Sequence, residues 1–387
     1  MKIKNSDFGY RFNGEDFEFF LDEKDYPEIV EYENIFVTGS FNDWRKSADS
    51  AWKLTKKIVK GKCVFVLSKS RASVSVPGNS GYPEFKFFAL GKDDIIYIPF
   101  CDKSYNRFGF NKVILFDDDD IEAFASLKQL SFCQKNLDEF DLECPACRAE
   151  LSNIRLVPGT RSLFRGYHPF KKSFNSSELE EMRFKYVEKA FSLYGFKSCI
   201  VLSGHEVSSD WQGEEAPAYL DEIKKNGNVL WTSMDYELIY YHSDSAQFAN
   251  QLHSICNFII SHPGPFYIHC RVGGDRTSVV SAVLAAICGA AWKDIARDYY
   301  KTVLSGIGDY RDEKLLRYSI QKMTGFDPSC SKYLAHLMQS YFIKEKVLSA
   351  SEIGLLIEKL TMAPKKKETD FFNFQEMHIC AKRSAKI

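Results

Sequence analysis

The stretch PFYIHCRVGGDRTSVV (265–280) sets a cysteine, two glycines and an arginine between two apolar runs. PFYIH reads as a strand, RVGGD as a loop, and RTSVVSAVLAAICG as a mostly apolar helix that begins near Arg276. Strand, glycine-containing loop and helix together aim backbone N–H groups at a dianion and add the helix N-terminus to them. Gly273 and Gly274 let the backbone turn tightly and approach such a ligand closely. Cys270 stands at the mouth of this pocket. A free thiol titrates near ~8.5, and a helix N-terminus or a nearby cation brings it to about 3.5–7.5. Its thiolate is then the nucleophile at neutral pH. Arg276 supplies a planar fork for two phosphate oxygens, and Thr277 places a hydroxyl close to the sulfur. Were Cys270 only a buried strand-end residue and Arg276 only a helix-start charge, Gly273, Gly274 and Asp275 would share no reason.

The elements around this stretch must position it. SELEEMRFKYVEKAFSLYG opens with Ser177 and Glu180 in capping-box spacing, keeps helical spacing through Tyr194, and stops at Gly195. SCIVLS (198–203) reads as a buried strand, with VLWTS and ELIYYH as two more. AQFANQLHSICNFIIS sets Phe248, Leu252, Ile255, Phe258 and Ile259 on one helical face. Further helices are expected at 291–304, 312–324 and 329–361. Strands alternating with helices predict an α/β domain around a central, largely parallel sheet.

The spacing C-x5-R, with His269 before and Thr277 after, resembles the protein tyrosine phosphatase superfamily. It is similar in particular to bacterial tyrosine and dual-specificity-like phosphatases with an HCxxGxDRTG loop; here the loop reads HCRVGGDRTS. NIRLVPGTRSLFRGYHPF (153–170) looks like that branch's N-terminal element. ICGAAWKDIARDYYKT looks like its helix pair after the loop. Ser278 stands where the branch carries glycine. The resemblance implies that Cys270 attacks phosphorus and forms a cysteinyl-phosphate. It implies that Arg276 and the amides of Arg271, Val272, Gly273 and Gly274 hold the equatorial oxygens, that Thr277 helps the thiolate leave, and that His269 orients the loop from behind. For the general acid two carboxylates stay open: Asp275 inside the loop, the better placed, and Asp244, which lies 26 residues before the cysteine. His205 and Glu206, after SCIVLS, are further candidates to reach the pocket, with a surface loop as the commoner reading of them. Thiolate, arginine and amides do this chemistry with no metal and no cofactor. The implied substrate class is phosphotyrosine proteins, with phosphoinositides beside them.

Residues 34 to 116 look all-β. NIFVTGSF, CVFVLS, EFKFFAL, DIIYIPF and KVILF are short β-branched and aromatic runs punctuated by Gly, Asn, Asp, Pro and Ser, the pattern of a small sandwich. NIFVTGSFNDWRKS through EFKFFALGKDD resembles the immunoglobulin-like glycogen- and starch-binding modules of AMP-activated kinase β subunits and branching enzymes. Gly39, Phe41, Asn42 and Trp44 match the first part of that pattern, Phe85 and Lys86 the second, and Asn111 the last. The resemblance implies Trp44, Lys86 and Asn111 as glucan contacts. No second tryptophan follows Lys86, so docking of a glucan and docking of a protein both stay open. A sugar module joined to a C-x5-R domain also makes a glucan phosphatase a rival reading, against which stands CRVGGDR where such enzymes usually carry CxAGxGR. A non-catalytic phosphate-binding scaffold is a third.

The expected organisation is a β-sandwich at 1–118, a connector at 119–150, a cysteine-phosphatase domain at 151–345, and a C-terminal helix with a basic tail at 346–387. With 45% hydrophobic and 27% charged residues the chain reads as soluble and globular. A net charge of -1 gives no bulk electrostatic case for nucleic acid. No apolar run approaches the ~20 residues that span a bilayer. MKIKNSDFGYRF has no apolar h-region, and the eleven cysteines show no framework beyond a lone C-x-x-C at 144–147. A cytoplasmic location with free thiols is the expectation.

Overall fold

The computed structural model describes residues 9–13, 16–24, 26–78, 81–91, 95–98, 111–116, 135–169, 178–204, 217–306 and 313–362. The chain divides into two units, Met1–Cys133 with Gly308–Leu315, and Gln134–Ile307 with Leu316–Ile387.

In the first unit, alternation of apolar and polar side chains builds two antiparallel sheets. One joins β1 (Tyr10–Asn13), β2 (Asp16–Asp22), β5 (Lys62–Ser70) and β4 (Thr55–Val59) in that order; the other joins β3 (Ile35–Gly39), β6 (Glu84–Leu90) and β7 (Ile95–Ile98), with β8 (Lys112–Val113) also on β6. Phe17, Phe19 and Leu21 alternate along β2 and face inward, where they share one core with Val37, Phe65, Phe85 and Phe87. The Phe19 and Phe85 rings meet edge to face at 5.1 Å. Burying each such side chain contributes about 1.5–3 kcal/mol. Four of the five runs expected as strands carry β3, β5, β6 and β7, while of KVILF only Lys112–Val113 is strand. The sheets also take in β1 and β2, upstream of the expected start at 34, and β4, whose Ile58 and Val59 are exposed. β4 is an edge strand with lysines at 56 and 57, and such a strand carries little burial pattern.

The second unit opens with α1 (Pro145–Leu151), which follows Cys144 and contains Cys147, both free thiols. Next come β9 (Arg155–Leu156), β10 (Leu163–Gly166), α2 (Glu178–Tyr194), β11 (Ser198–Val201), α3 (Ala218–Lys225) and β12 (Val229–Trp231). Then follow α4 (Tyr236–Tyr240), α5 (Ala246–Ser261), β13 (Phe266–His269), α6 (Asp275–Ile287), α7 (Trp292–Leu304), α8 (Glu313–Thr324), α9 (Leu334–Lys344) and α10 (Ala350–Thr361). The sheet order is β12-β11-β13-β10-β9, parallel except for β9. The chain is thus an all-β region followed by an α/β region with a mostly parallel sheet, as expected. No helix among the described residues is long and apolar enough to cross a membrane.

Two expectations need correction. ELIYYH is not a strand: it lies largely in α4, which Asp235 starts by accepting the amide of Leu238 at 2.7 Å. Leu238, Ile239, Tyr240 and Tyr241 are all buried, and an apolar run this short fits either period; the Asp cap decides it. The span 329–361 is two helices rather than one, because Lys346 turns left-handed (φ 57°) and Ser349 with Glu352 caps a new start.

Candidate active site

β13 is the middle strand of the sheet, paired with β10 and β11, and Phe266, Tyr267, Ile268 and His269 are fully buried. A parallel strand covered on both faces is a rigid support, and ligands of such sheets gather at the carboxyl ends of the strands. Cys270 sits at that end, 2% exposed. α6 begins five residues later at Asp275, and no side chain caps it. Its first amides therefore have no partner within the helix.

Gly273 is left-handed (φ 72°), and a Cβ there would stand 2.2 Å from the carbonyl oxygen of Gly166. Glycine is required on both counts. The loop carbonyls are held from behind. Asn153 Nδ2 donates to the Val272 oxygen at 3.0 Å and the Gly273 oxygen at 3.3 Å. Arg165 donates to the Gly273 oxygen at 2.6 Å and to the Ser278 hydroxyl. In a trans peptide C=O and N–H point opposite ways. Turning these carbonyls back thus turns the Gly273 and Gly274 amides forward.

Arg165 is itself braced. Asp298 on α7 accepts from Arg165 Nη1 and from Arg155 Nε, each at 2.5 Å, and Arg155 also donates to the carbonyl of Asn153 at 3.0 Å. Burial alone would push the Asp298 carboxyl up, but Arg155 and Arg165 outweigh it and hold the group below its ordinary value. Ser278, the departure from the glycine of the resembling loops, is the hydroxyl that receives Arg165.

Burial works against ionising Cys270 too. The Arg276 guanidinium, the Thr277 hydroxyl and the Thr277 amide overcome it, and the thiol falls below its ordinary value although Asp275 opposes them. The Thr277 hydroxyl is buried, has no hydrogen-bond partner among the described residues, and stands near enough to the thiol to help lower it. Burial, joined by His168 and Arg276, outweighs the raising effect of the Cys270 carbonyl bond and brings His269 down to about 3, so its ring is neutral. His269 Nδ1 lies 2.9 Å from the Cys270 carbonyl, an atom that only accepts, so Nδ1 carries the proton. The half-buried Arg276 lies 3.5 Å from the Met234 carbonyl, at the end of β12's following turn. Arg271 and Val272 are half-buried, and Val272 packs on the core beneath the sheet.

The two candidate acids sit differently. Asp275 is the first residue of α6, inside the loop, and its Oδ1 accepts from Tyr240 at 3.1 Å. Asp244 is half exposed and pairs with Lys322 on α8 at 3.4 Å, while Ser245 caps α5. His205 and Glu206 lie outside the described residues.

In the first unit, Trp44 follows the turn after β3 with a left-handed backbone (φ 55°) and is partly exposed. Lys86 on β6 pairs in register with Thr38, and burial joined by Lys46 lowers its pKa. Asn111 is half-buried and donates to the buried Glu84 at 2.9 Å.

Asn153, Arg155, Arg165, Asp298 and Tyr240 had not been assigned roles from sequence. Four of them lie within NIRLVPGTRSLFRGYHPF and IARDYYKT, the flanks already noted, so a signal was present. Residues 204–352 match the sequence model of the tyrosine phosphatase family, a span that holds the whole loop from Cys270 to Ser278. A search of curated proteins found no match.

Proposed function

We propose that this tyrosine-phosphatase-type hydrolase, whose residues 204–352 match the family's sequence model, removes phosphate from phosphotyrosine in proteins through a cysteinyl-phosphate. The observation that carries this reading is the buried Cys270 at the carboxyl end of β13, one glycine loop before the uncapped N-terminus of α6, with Arg276 and Thr277 in that helix's first turn.

In the first step the Cys270 thiolate attacks phosphorus. The S–P bond forms, the P–O bond to the leaving phenol breaks, and the Asp275 carboxyl gives its proton to the leaving oxygen. Arg276 and the amides of Arg271 through Arg276 hold the three equatorial oxygens, which is positioning and electrostatics rather than covalent work. In the second step water attacks phosphorus, its proton passes to Asp275, and the S–P electron pair returns to sulfur. Thr277 steadies the departing thiolate by donating to it. His269, neutral and bonded to the Cys270 carbonyl, fixes the nucleophile's backbone and takes no proton. Asp275 is preferred to Asp244 because it sits in the loop itself, whereas Asp244 pairs with Lys322. The first unit acts as a docking module, for a glucan through Trp44 or for a protein.

The test is phosphate release, side by side, from a phosphotyrosine peptide, a soluble phosphoinositide and phosphorylated amylopectin, with Cys270→Ser as control. Fastest release from the peptide, abolished in the variant, supports the reading. Fastest release from amylopectin would replace it with a glucan phosphatase. Vanadate binding without release from any of them would replace it with a phosphate-binding scaffold. An amylose pull-down compared with Trp44→Ala separates sugar docking from protein docking.

A further inference from the structure

We propose that Tyr240 is the positioning residue of the acid, acting through Asp275 and held in turn by Tyr299; this rests on the reading of Asp275 as proton donor. Tyr240 ends α4 and Tyr299 lies in α7, and their side chains are 0% and 1% exposed. The Tyr240 hydroxyl bonds Asp275 Oδ1 at 3.1 Å and lies 2.9 Å from the Tyr299 hydroxyl. Each phenol has one proton, and Asp275 Oδ1 accepts both in the ionised carboxylate and in the acid that carries its proton on Oδ2. The direction follows: Tyr299 donates to Tyr240, and Tyr240 donates to Asp275.

The terminal torsion of an aspartate is broad and roughly two-fold, so a carboxyl at a helix start sweeps a range of directions. A bond to Oδ1 from a rigid, buried phenol narrows that range. It thereby fixes the line along which the carboxyl's proton reaches the leaving oxygen. When Asp275 has given up its proton, the same bond stabilises the carboxylate, and Tyr240 keeps its own proton throughout. Tyr299 is the neighbour of Asp298, so α7 braces the loop twice. Asp298 holds the Gly273 carbonyl through Arg165, and Tyr299 holds the Asp275 carboxyl through Tyr240.

The test compares kcat/KM of the full chain on para-nitrophenyl phosphate, whose leaving group needs little help, and on phenyl phosphate, whose phenol titrates near ~10 and needs the acid's proton. Asp275→Asn should lose about 100-fold more on phenyl phosphate than on the nitro compound. Tyr240→Phe should show the same bias at about tenfold, with KM little changed, since misdirection of a catalytic group costs rate rather than binding. Tyr299→Phe, which keeps the Tyr240 hydroxyl, should show a bias of a few-fold, and it carries the test if Tyr240→Phe does not fold. A purely structural role would lower both substrates equally. Asp275→Asn with the bias but the tyrosine variants without it overturns the inference alone. Asp275→Asn without the bias overturns the inference together with the acid reading beneath it.

Discussion

The buried guanidinium of Arg165 donates to the carbonyl of Gly273 at 2.6 Å, across 108 residues of chain, and so ties β10, the strand beside β13, to the back of the Cys270 loop. The guanidinium is 1% exposed, and its charge is met by Asp298, which also meets Arg155. A buried cation of this kind persists only with its anion.

Asp298→Asn leaves two buried guanidinium groups against a neutral amide. Breaking a buried pair from one side costs about 3–5 kcal/mol. Urea unfolding should show a loss of that order, and kcat/KM should fall with it because the loop loses its brace. The acid side of the effect is readable as well. Asp298 titrates below its ordinary value in the fold, so its contribution is full above that ordinary value. It is lost as the pH drops through the lower, folded value.

Gly273→Ala sets a Cβ 2.2 Å from the Gly166 oxygen at a left-handed position, so the backbone must move. The expected outcome is a fall in kcat/KM of about 100-fold, because a displacement near 1 Å at a reacting centre costs that much. Ser278→Gly restores the residue of the resembling loops, yet here it should destabilise by about 2 kcal/mol: Arg165 loses an acceptor and a helix interior gains glycine. A neutral or stabilising Ser278→Gly in thermal unfolding would contradict that bond's role.

Alkylation of Cys270 by iodoacetamide should follow thiolate formation, with a midpoint below that of an ordinary cysteine. Thr277→Val removes one of the groups that lower it, so the midpoint should rise while the ring of loop contacts stays. Arg276→Met should raise it further, since the guanidinium is the largest lowering influence. Phosphatase activity of Arg276→Met should fall at least 1000-fold, about the effect of a phosphate-holding arginine.

His269 is buried neutral, with its pKa brought down to about 3. A group depressed in this way favours the fold fully above its unfolded value of about 6.5 and ceases to do so as pH falls toward 3. Between those limits it contributes a slope of up to about 1.4 kcal/mol per pH unit. His269→Asn, which keeps an N–H for the Cys270 carbonyl, should flatten the loss of stability over that window in urea titrations at stepped pH.

Much of the site was readable because its residues are contiguous and each type carries its own chemistry. A cysteine before two glycines, an arginine and a threonine has few other uses at a strand–helix junction. The brace was harder to see. Asn153, Arg165 and Asp298 are ordinary polar residues in sequence, and only the turn before β9, β10 and α7 bring them behind the loop. Their segments stood out as flanks, but a segment does not say which side chain turns inward. Tyr240 was hidden by the reading of ELIYYH as a strand, since four adjacent buried side chains carry no period. In the first unit the alternation of Phe17, Phe19 and Leu21 was present and overlooked, while β4, an exposed edge, had no such pattern to read.

The most direct measurement is to quench the enzyme in acid during turnover of a phosphotyrosine peptide and locate phosphate on the chain by mass spectrometry. The expected result is phosphate on Cys270, absent from Cys270→Ser, which also releases no phosphate. Sustained release by Cys270→Ser, or a phosphorylated residue other than Cys270, would contradict the cysteinyl-phosphate account.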